Sequence, residues 1–164
     1  MEGSQQLADW IRSGETRVLC GQRIFVHTAV TPGRPPLLLI HGYPTASYDW
    51  IRIWPRLAAR HSLYTLDLLG FGLSDKPRRS RYPIEQQADL CTALLAEFRV
   101  GAAHVLAHDY GDTVAQELLA RHAEGRLQVA SVAFLNGGLF PETHRARPIQ
   151  KLLAIPVLGP LFAR

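Results

Sequence analysis

Several things are scarce in this 164-residue chain. There are two cysteines, Cys20 and Cys91, far apart and without a C-x-x-C pair, which argues against a disulfide framework or a thiolate metal site. Two buried free thiols are the expectation. No histidine pair has zinc-ligand spacing. Long apolar runs are missing as well. The longest uncharged one, Leu152 to Ala163, falls short of the roughly 20 residues a bilayer demands, and Pro156, Gly159 and Pro160 interrupt it. Met1 to Ile11 lacks the apolar stretch of a signal peptide. These absences suggest a soluble protein in a reducing, cytoplasmic setting, with no membrane partner. Lysine is rare too, so the net charge of +4 comes almost wholly from scattered arginine. The one tight basic cluster, Arg78, Arg79 and Arg81, reads as a solvated loop and not as a nucleic-acid surface.

What is present is a globular composition, 47% hydrophobic and 20% charged, in a length suited to one domain. Arg17 to Cys20 and Arg23 to His27 alternate around Gly21-Gln22, a hairpin pattern. Leu37 to Ile40 is a continuous apolar run, predicting a strand buried on both faces. Helix is expected from about Ser47 to Arg60 with a break at Pro55, and a strand over Leu63 to Leu66. Helical spacing of Ala88, Cys91, Leu94, Leu95 and Phe98 predicts a helix over 84–98. Strand His104 to Ala107, helix Thr113 to His122 and strand Val129 to Leu135 complete the alternation. Strands alternating with helices imply parallel pairing with right-handed crossovers, hence an α/β, doubly wound, mostly parallel sheet. The apolar tail, Ile149 to Phe162, begins to look helical.

Three constellations carry chemistry. His41-Gly42-Tyr43-Pro44-Thr45 follows a buried strand directly, and Gly42 permits backbone that other residues resist, so that N–H groups can point into a pocket. The alternative is an ordinary turn with His41 tied to backbone. The segment Asp67 to Pro77 contains Gly70-Phe71-Gly72, but a dinucleotide loop needs a third small residue and an immediate helix. Asp75 puts negative charge where phosphate would sit, and no cofactor is expected. The third runs from His108 to Asp112. It has the order strand, sharp turn, helix, with Ala107 and Gly111 as the small residues and Asp109 at the raised position of a nucleophile elbow.

A carboxylate at that position suggests attack on carbon and an ester to the enzyme, not serine-type acyl transfer. The helix dipole and free N–H groups favour the ionised acid. The N–H groups of Tyr43 and Tyr110 would form an oxyanion hole. Asp109 as a simple helix cap, with Asp112 in a similar role, is the competing explanation. The ester must be hydrolysed, which calls for a histidine. His108 should point away from its neighbour and support the turn by hydrogen bonding, and His144 reads as a surface position.

Gly42-Tyr43-Pro44-Thr45 with Tyr48-Asp49-Trp50, and Leu66-Asp67 through Pro77, resemble the epoxide hydrolase and haloalkane dehalogenase branch of the α/β-hydrolase fold. His108-Asp109-Tyr110-Gly111-Asp112, and Asn136-Gly137-Gly138 through His144-Arg145, narrow the resemblance toward the mesoderm-specific transcript group. The resemblance implies Asp109 as nucleophile, Tyr43 and Tyr110 as donors, His41, Gly42, His108 and Gly111 in support, and a small-molecule substrate. It implies that 1–138 is the N-terminal part of the hydrolase core and 139–164 the start of a helical cap. The orienting acid and catalytic histidine of the branch would then lie on strands beyond this chain, leaving these residues inactive alone. Tyr110 and Tyr43 stand where dehalogenases of the branch carry a tryptophan and often an asparagine to hold halide, which weakens the halide reading and leaves epoxides as the first substrate expectation. A non-catalytic binding module with the same fold is the alternative, and a serine esterase is excluded because no serine occupies the elbow.

Overall fold

The computed structural model describes residues 2–78 and 80–137. The expected cap segment, the apolar tail and His144 lie outside the described residues, as does Arg79. Six strands, β1 (Glu15–Leu19), β2 (Gln22–Ala29), β3 (Pro36–Ile40), β4 (Ser62–Leu66), β5 (Ala103–His108) and β6 (Val129–Leu135), form one sheet in the order β1-β2-β4-β3-β5-β6. β1 and β2 are the antiparallel hairpin, and β2 pairs antiparallel with β4. The other pairs, β4–β3, β3–β5 and β5–β6, are parallel. The chain winds from β3 to β4 on one side, then crosses back to β5 on the other. The strand order therefore reverses between β3 and β5, the place where open α/β sheets open a crevice for ligands.

Side chains of β3 alternate between two cores, as the pleat requires. Leu38 and Ile40 join Leu90, Leu94, Val114 and Leu118, so α3 (Ile84–Glu97) and α4 (Tyr110–Ala123) cover one face. Leu37 and Leu39 face Trp10, Phe25, Trp50 and Trp54, beneath α1 (Glu2–Ser13), a 3-10 turn (Ser47–Arg52) and α2 (Trp54–Ala58). Ile53 separates the turn from α2, and Pro55 sits in the first turn of α2, where its missing N–H has no helical partner to lose. The break expected at Pro55 thus falls at Ile53, two residues earlier. Ser62 to Leu66 are all buried.

Two expectations need correction. Cys20 is exposed, at φ 49° in the β1–β2 turn, while Cys91 is the buried free thiol, its pKa pushed up to about 12 by burial. Helix α4 begins at Tyr110, not Thr113, because Asp109 and not Asp112 is its N-cap.

No periodicity argument announced α1, which is fastened by aromatic contact. Trp10 stacks on His27 with centroids 3.9 Å apart and planes 8° from parallel, and meets Trp54 edge-on at 5.0 Å. Ser13 Oγ lies 2.8 Å from His27 Nε2. Burial lowers the His27 pKa from its usual 6.5 to about 4. Above pH 6.5 the imidazole is neutral whether the chain is folded or not, and its titration adds no pH dependence to stability there. Between about 6.5 and 4 the unfolded chain takes up a proton that the folded one refuses, so stability falls as pH falls. A loss on the order of 2–3 kcal/mol across that window is expected from urea denaturation at fixed pH values. His27→Gln should flatten that part of the profile.

Candidate active site

The register Ile40↔Ala107 between β3 and β5 makes the two central strands end at the same level. His41-Gly42-Tyr43 and His108-Asp109-Tyr110 therefore leave the sheet side by side. Asp109 has φ 53° and ψ −113°, a backbone conformation that non-glycine residues rarely adopt and that costs of order 1–3 kcal/mol. Asp109 N–H donates to Leu135 O at 3.0 Å, and its carbonyl accepts from Asp112 N–H at 3.0 Å, so β6 and α4 both grip the turn.

The Asp109 carboxylate meets two backbone donors. Its Oδ1 accepts from Tyr43 N–H at 2.9 Å and from Tyr110 N–H at 2.7 Å. Asp109 is at once the raised residue of the elbow and the cap of α4, so the two readings of the sequence describe one arrangement. Among the described residues Oδ2 makes no hydrogen bond. Two N–H dipoles, one of them at the N-terminus of α4, thus converge on Oδ1.

Glycine lets these loops approach. A Cβ on Gly42 would lie 2.7 Å from Asp109 Cβ and 3.0 Å from both Nδ1 and the carbonyl oxygen of His108. Space, and not a left-handed φ, is what Gly42 supplies, which corrects the conformational argument drawn from the sequence. A Cβ on Gly111 would lie 2.5 Å from Ile40 O and 2.7 Å from His41 O, so α4 starts against the ends of β3.

His41 is fully buried, with Nδ1 2.9 Å from Gly42 O and Nε2 accepting from Leu68 N–H at 3.0 Å. Those partners assign the proton to Nδ1, and burial lowers the pKa, so His41 is a neutral strut. His108 turns Nδ1 toward Gly42. No histidine nitrogen hydrogen-bonds to Asp109 among the described residues. His104 is engaged by Ser131, and His122 lies against Leu127 O.

Asp112 is buried on the first turn of α4, where Leu135 N–H approaches its Oδ1 at 3.4 Å. Burial raises its pKa, while the backbone N–H groups of Leu135 and Gly137 and nearby His108 act the other way. It ties α4 to the end of β6.

Sequence reasoning passed over Phe71 as a site residue. Its ring lies 5.3 Å from His41, 6.2 Å from Tyr43 and 5.7 Å from Tyr110, forming one wall. Tyr110 Oη donates to Tyr82 O at 3.3 Å, and burial raises its pKa. The signal for Phe71 was its place between Gly70 and Gly72, read there only against phosphate binding. The loop that holds it spends its polar groups internally. Asp67 accepts from Ser47 N–H, Ser47 Oγ–H and Leu73 N–H, and Ser74 Oγ donates to Asp67 O at 2.6 Å. Asp75 Oδ2 accepts from Arg23 N–H. This is a clasp between β2 and β4 and not an anion cradle.

An open, mostly parallel α/β sheet with a strained, acid-bearing strand-turn-helix junction at its topological switch point defines the class as an α/β-hydrolase-type fold. The chain belongs to the alpha/beta hydrolase fold family, whose sequence profile matches residues 35–153. It is 46% identical to the mesoderm-specific transcript homolog protein of Homo sapiens over 170 aligned positions, covering 98% of this chain and 51% of that one. The chain thus spans about half the length of the curated relatives it matches. Its structure is similar to haloalkane dehalogenase DbeA from Bradyrhizobium elkani, with TM-score 0.77 and 28% identity over 90% of this chain and 52% of that one. It is also similar to the epoxide hydrolase CorEH, with TM-score 0.70 and 25% identity over 86% of this chain and 48% of that one. No helix among the described residues is long and apolar enough to cross a membrane.

Gly111→Ala forces a methyl against the Ile40 and His41 carbonyls, and this backbone cannot swing away as a side chain can. A loss of about 2 kcal/mol is expected, read as a lower urea midpoint with unchanged slope.

Proposed function

We propose that Asp109 is the nucleophile of an epoxide hydrolase-type reaction, and that this chain supplies the nucleophile half of that machinery. The observation that carries the reading is the asymmetry of its carboxylate. Oδ1 is held by the Tyr43 and Tyr110 N–H groups, while Oδ2 has no hydrogen bond among the described residues. A carboxylate so held needs no general base for its first step. Oδ2 attacks a ring carbon of the epoxide, the carbon–oxygen ring bond breaks, and the released alkoxide takes a proton from solvent. An ester joins Asp109 to the alkyl group.

Water must then add to the ester carbonyl carbon. The negative charge of the tetrahedral intermediate develops on the carbonyl oxygen, which we assign to Oδ1, between the same two donors. Expulsion of the alcohol oxygen gives a diol and restores the carboxylate. This second step needs a group to deprotonate water, and no described histidine is bonded to Asp109. That base and its orienting acid would come from outside residues 2–137, and 139–164 would begin the cap that the family resemblance implies. The chain alone should then stop at the ester.

Styrene oxide tests this. Intact and peptide mass spectrometry should find one adduct per chain, on Asp109, that persists without turnover. Asp109→Asn should abolish it, and Gly42→Ala, which displaces Asp109, should slow it by tenfold or more. No adduct on Asp109 after long incubation would sink the reading. Faster labelling by 1-bromobutane would transfer it to dehalogenation.

A further inference from the structure

We propose that the cleft between α1 and the loop after β4 is a second binding site, for the uncharged alkyl or aryl arm of a small molecule. The cavity is about 220 Å³ and is bounded by Leu7, Trp10, Ile11, Phe25, Tyr48 and Leu73. Asp109 does not line it. Among the described residues eight large apolar side chains stay exposed, and three of them ring this cleft: Leu7 at 41%, Ile11 at 40% and Leu73 at 52%. Leu7 and Ile11 are four residues apart on one face of α1, with Trp10 between them as the anchor. Leu73 faces them from the opposite wall. Such a cluster is expensive to leave in water and gains by covering it.

Size and chemistry fix the occupant. An engineered cavity of about 150 Å³ takes benzene, so 220 Å³ admits a ring bearing a short alkyl arm. The two polar side chains in the wall are already satisfied. Ser47 N–H and Oγ–H both donate to Asp67 Oδ1, at 2.8 and 2.6 Å, and Asp67 Oδ2 accepts from Leu73 N–H at 2.7 Å. The Trp10 indole N–H is buried and has no hydrogen-bond partner among the described residues, so it is a neutral donor left in the wall. No charged group is left unpaired in the wall, so the cleft selects hydrocarbon and rejects charge. Its floor is preformed, since Trp10 is clamped by His27 at 3.9 Å and Trp54 at 5.0 Å. A rigid apolar slot binds without an ordering cost of its own.

The site lies beside the elbow, sharing with it the Phe71-Gly72-Leu73 strip and the loop from Tyr43 to Ser47, and does not depend on Asp109 being a nucleophile. The test uses n-butylbenzene with the whole chain, followed by methyl NMR and thermal melting. Saturable shifts confined to Leu7, Ile11 and Leu73, with a raised melting temperature, are expected. Ile11→Asp and Leu73→Asp place charge on the exposed rim. Each should weaken binding at least tenfold while leaving the ligand-free melt in place. Asp109→Asn should bind as the parent does, which separates this outcome from any failure of the proposed reaction. No shift at saturating probe, or shifts that persist in both rim variants, would overturn the site. So would concentration-dependent dimerisation lost in both variants, which would make the occupant a second copy of this chain.

Discussion

Two backbone N–H groups from different parts of the chain converge on one carboxylate oxygen, and the described site is built around that meeting. Tyr43 N–H comes from the loop after β3 and Tyr110 N–H from the first turn of α4, and both reach Asp109 Oδ1. Their convergence requires β3 and β5 to be neighbours, ending level, with α4 starting against β3. The parallel pairing supplies the first condition and the absence of a side chain at Gly111 the last. The strain at Asp109, φ 53°, is sustained because β6 and α4 bond its backbone from both sides.

Burial then decides which titratable groups are free to do chemistry. His41 and His27 are sealed among apolar and aromatic groups and kept neutral, the first as a strut under the site and the second as the seat of α1. Asp67 is buried, yet three hydrogen bonds compensate it, so its charge serves the loop that carries Phe71. Asp109 and Asp112 each combine a bonded oxygen with one that has no hydrogen bond among the described residues, but Asp112 is buried beneath the turn while Asp109 is raised on it. The same loop separates two environments: a polar turn on the Asp109 side and an apolar cleft on the α1 side.

The strand order was legible where periodicity was strong. Leu37 to Ile40 announced a strand buried on both faces, and the alternation of strands and helices announced the doubly wound sheet. The elbow was legible because few local geometries need small residues on either side of one raised side chain. Helix α1 was not, because its attachment rests on Trp10 meeting His27 and Trp54, contacts between residues 17 and 44 positions apart that no window of sequence displays. Cys20 misled because cysteine favours burial on average, whereas this one tops a hairpin turn. Phe71 was hidden inside a loop whose glycines invited a phosphate reading.

Sequence alone determined the layered α/β architecture, the position of the elbow and the presence of an acid on it, since these follow from local pattern and the spacing of small residues. Tertiary structure decided the rest. Which N–H groups face that acid, which histidines are neutralised, why Gly42 must lack a side chain and where the apolar cleft opens all depend on distances between segments remote in the chain. Those distances are set by strand order and packing, and packing is a property of pairs of surfaces that a linear pattern does not contain.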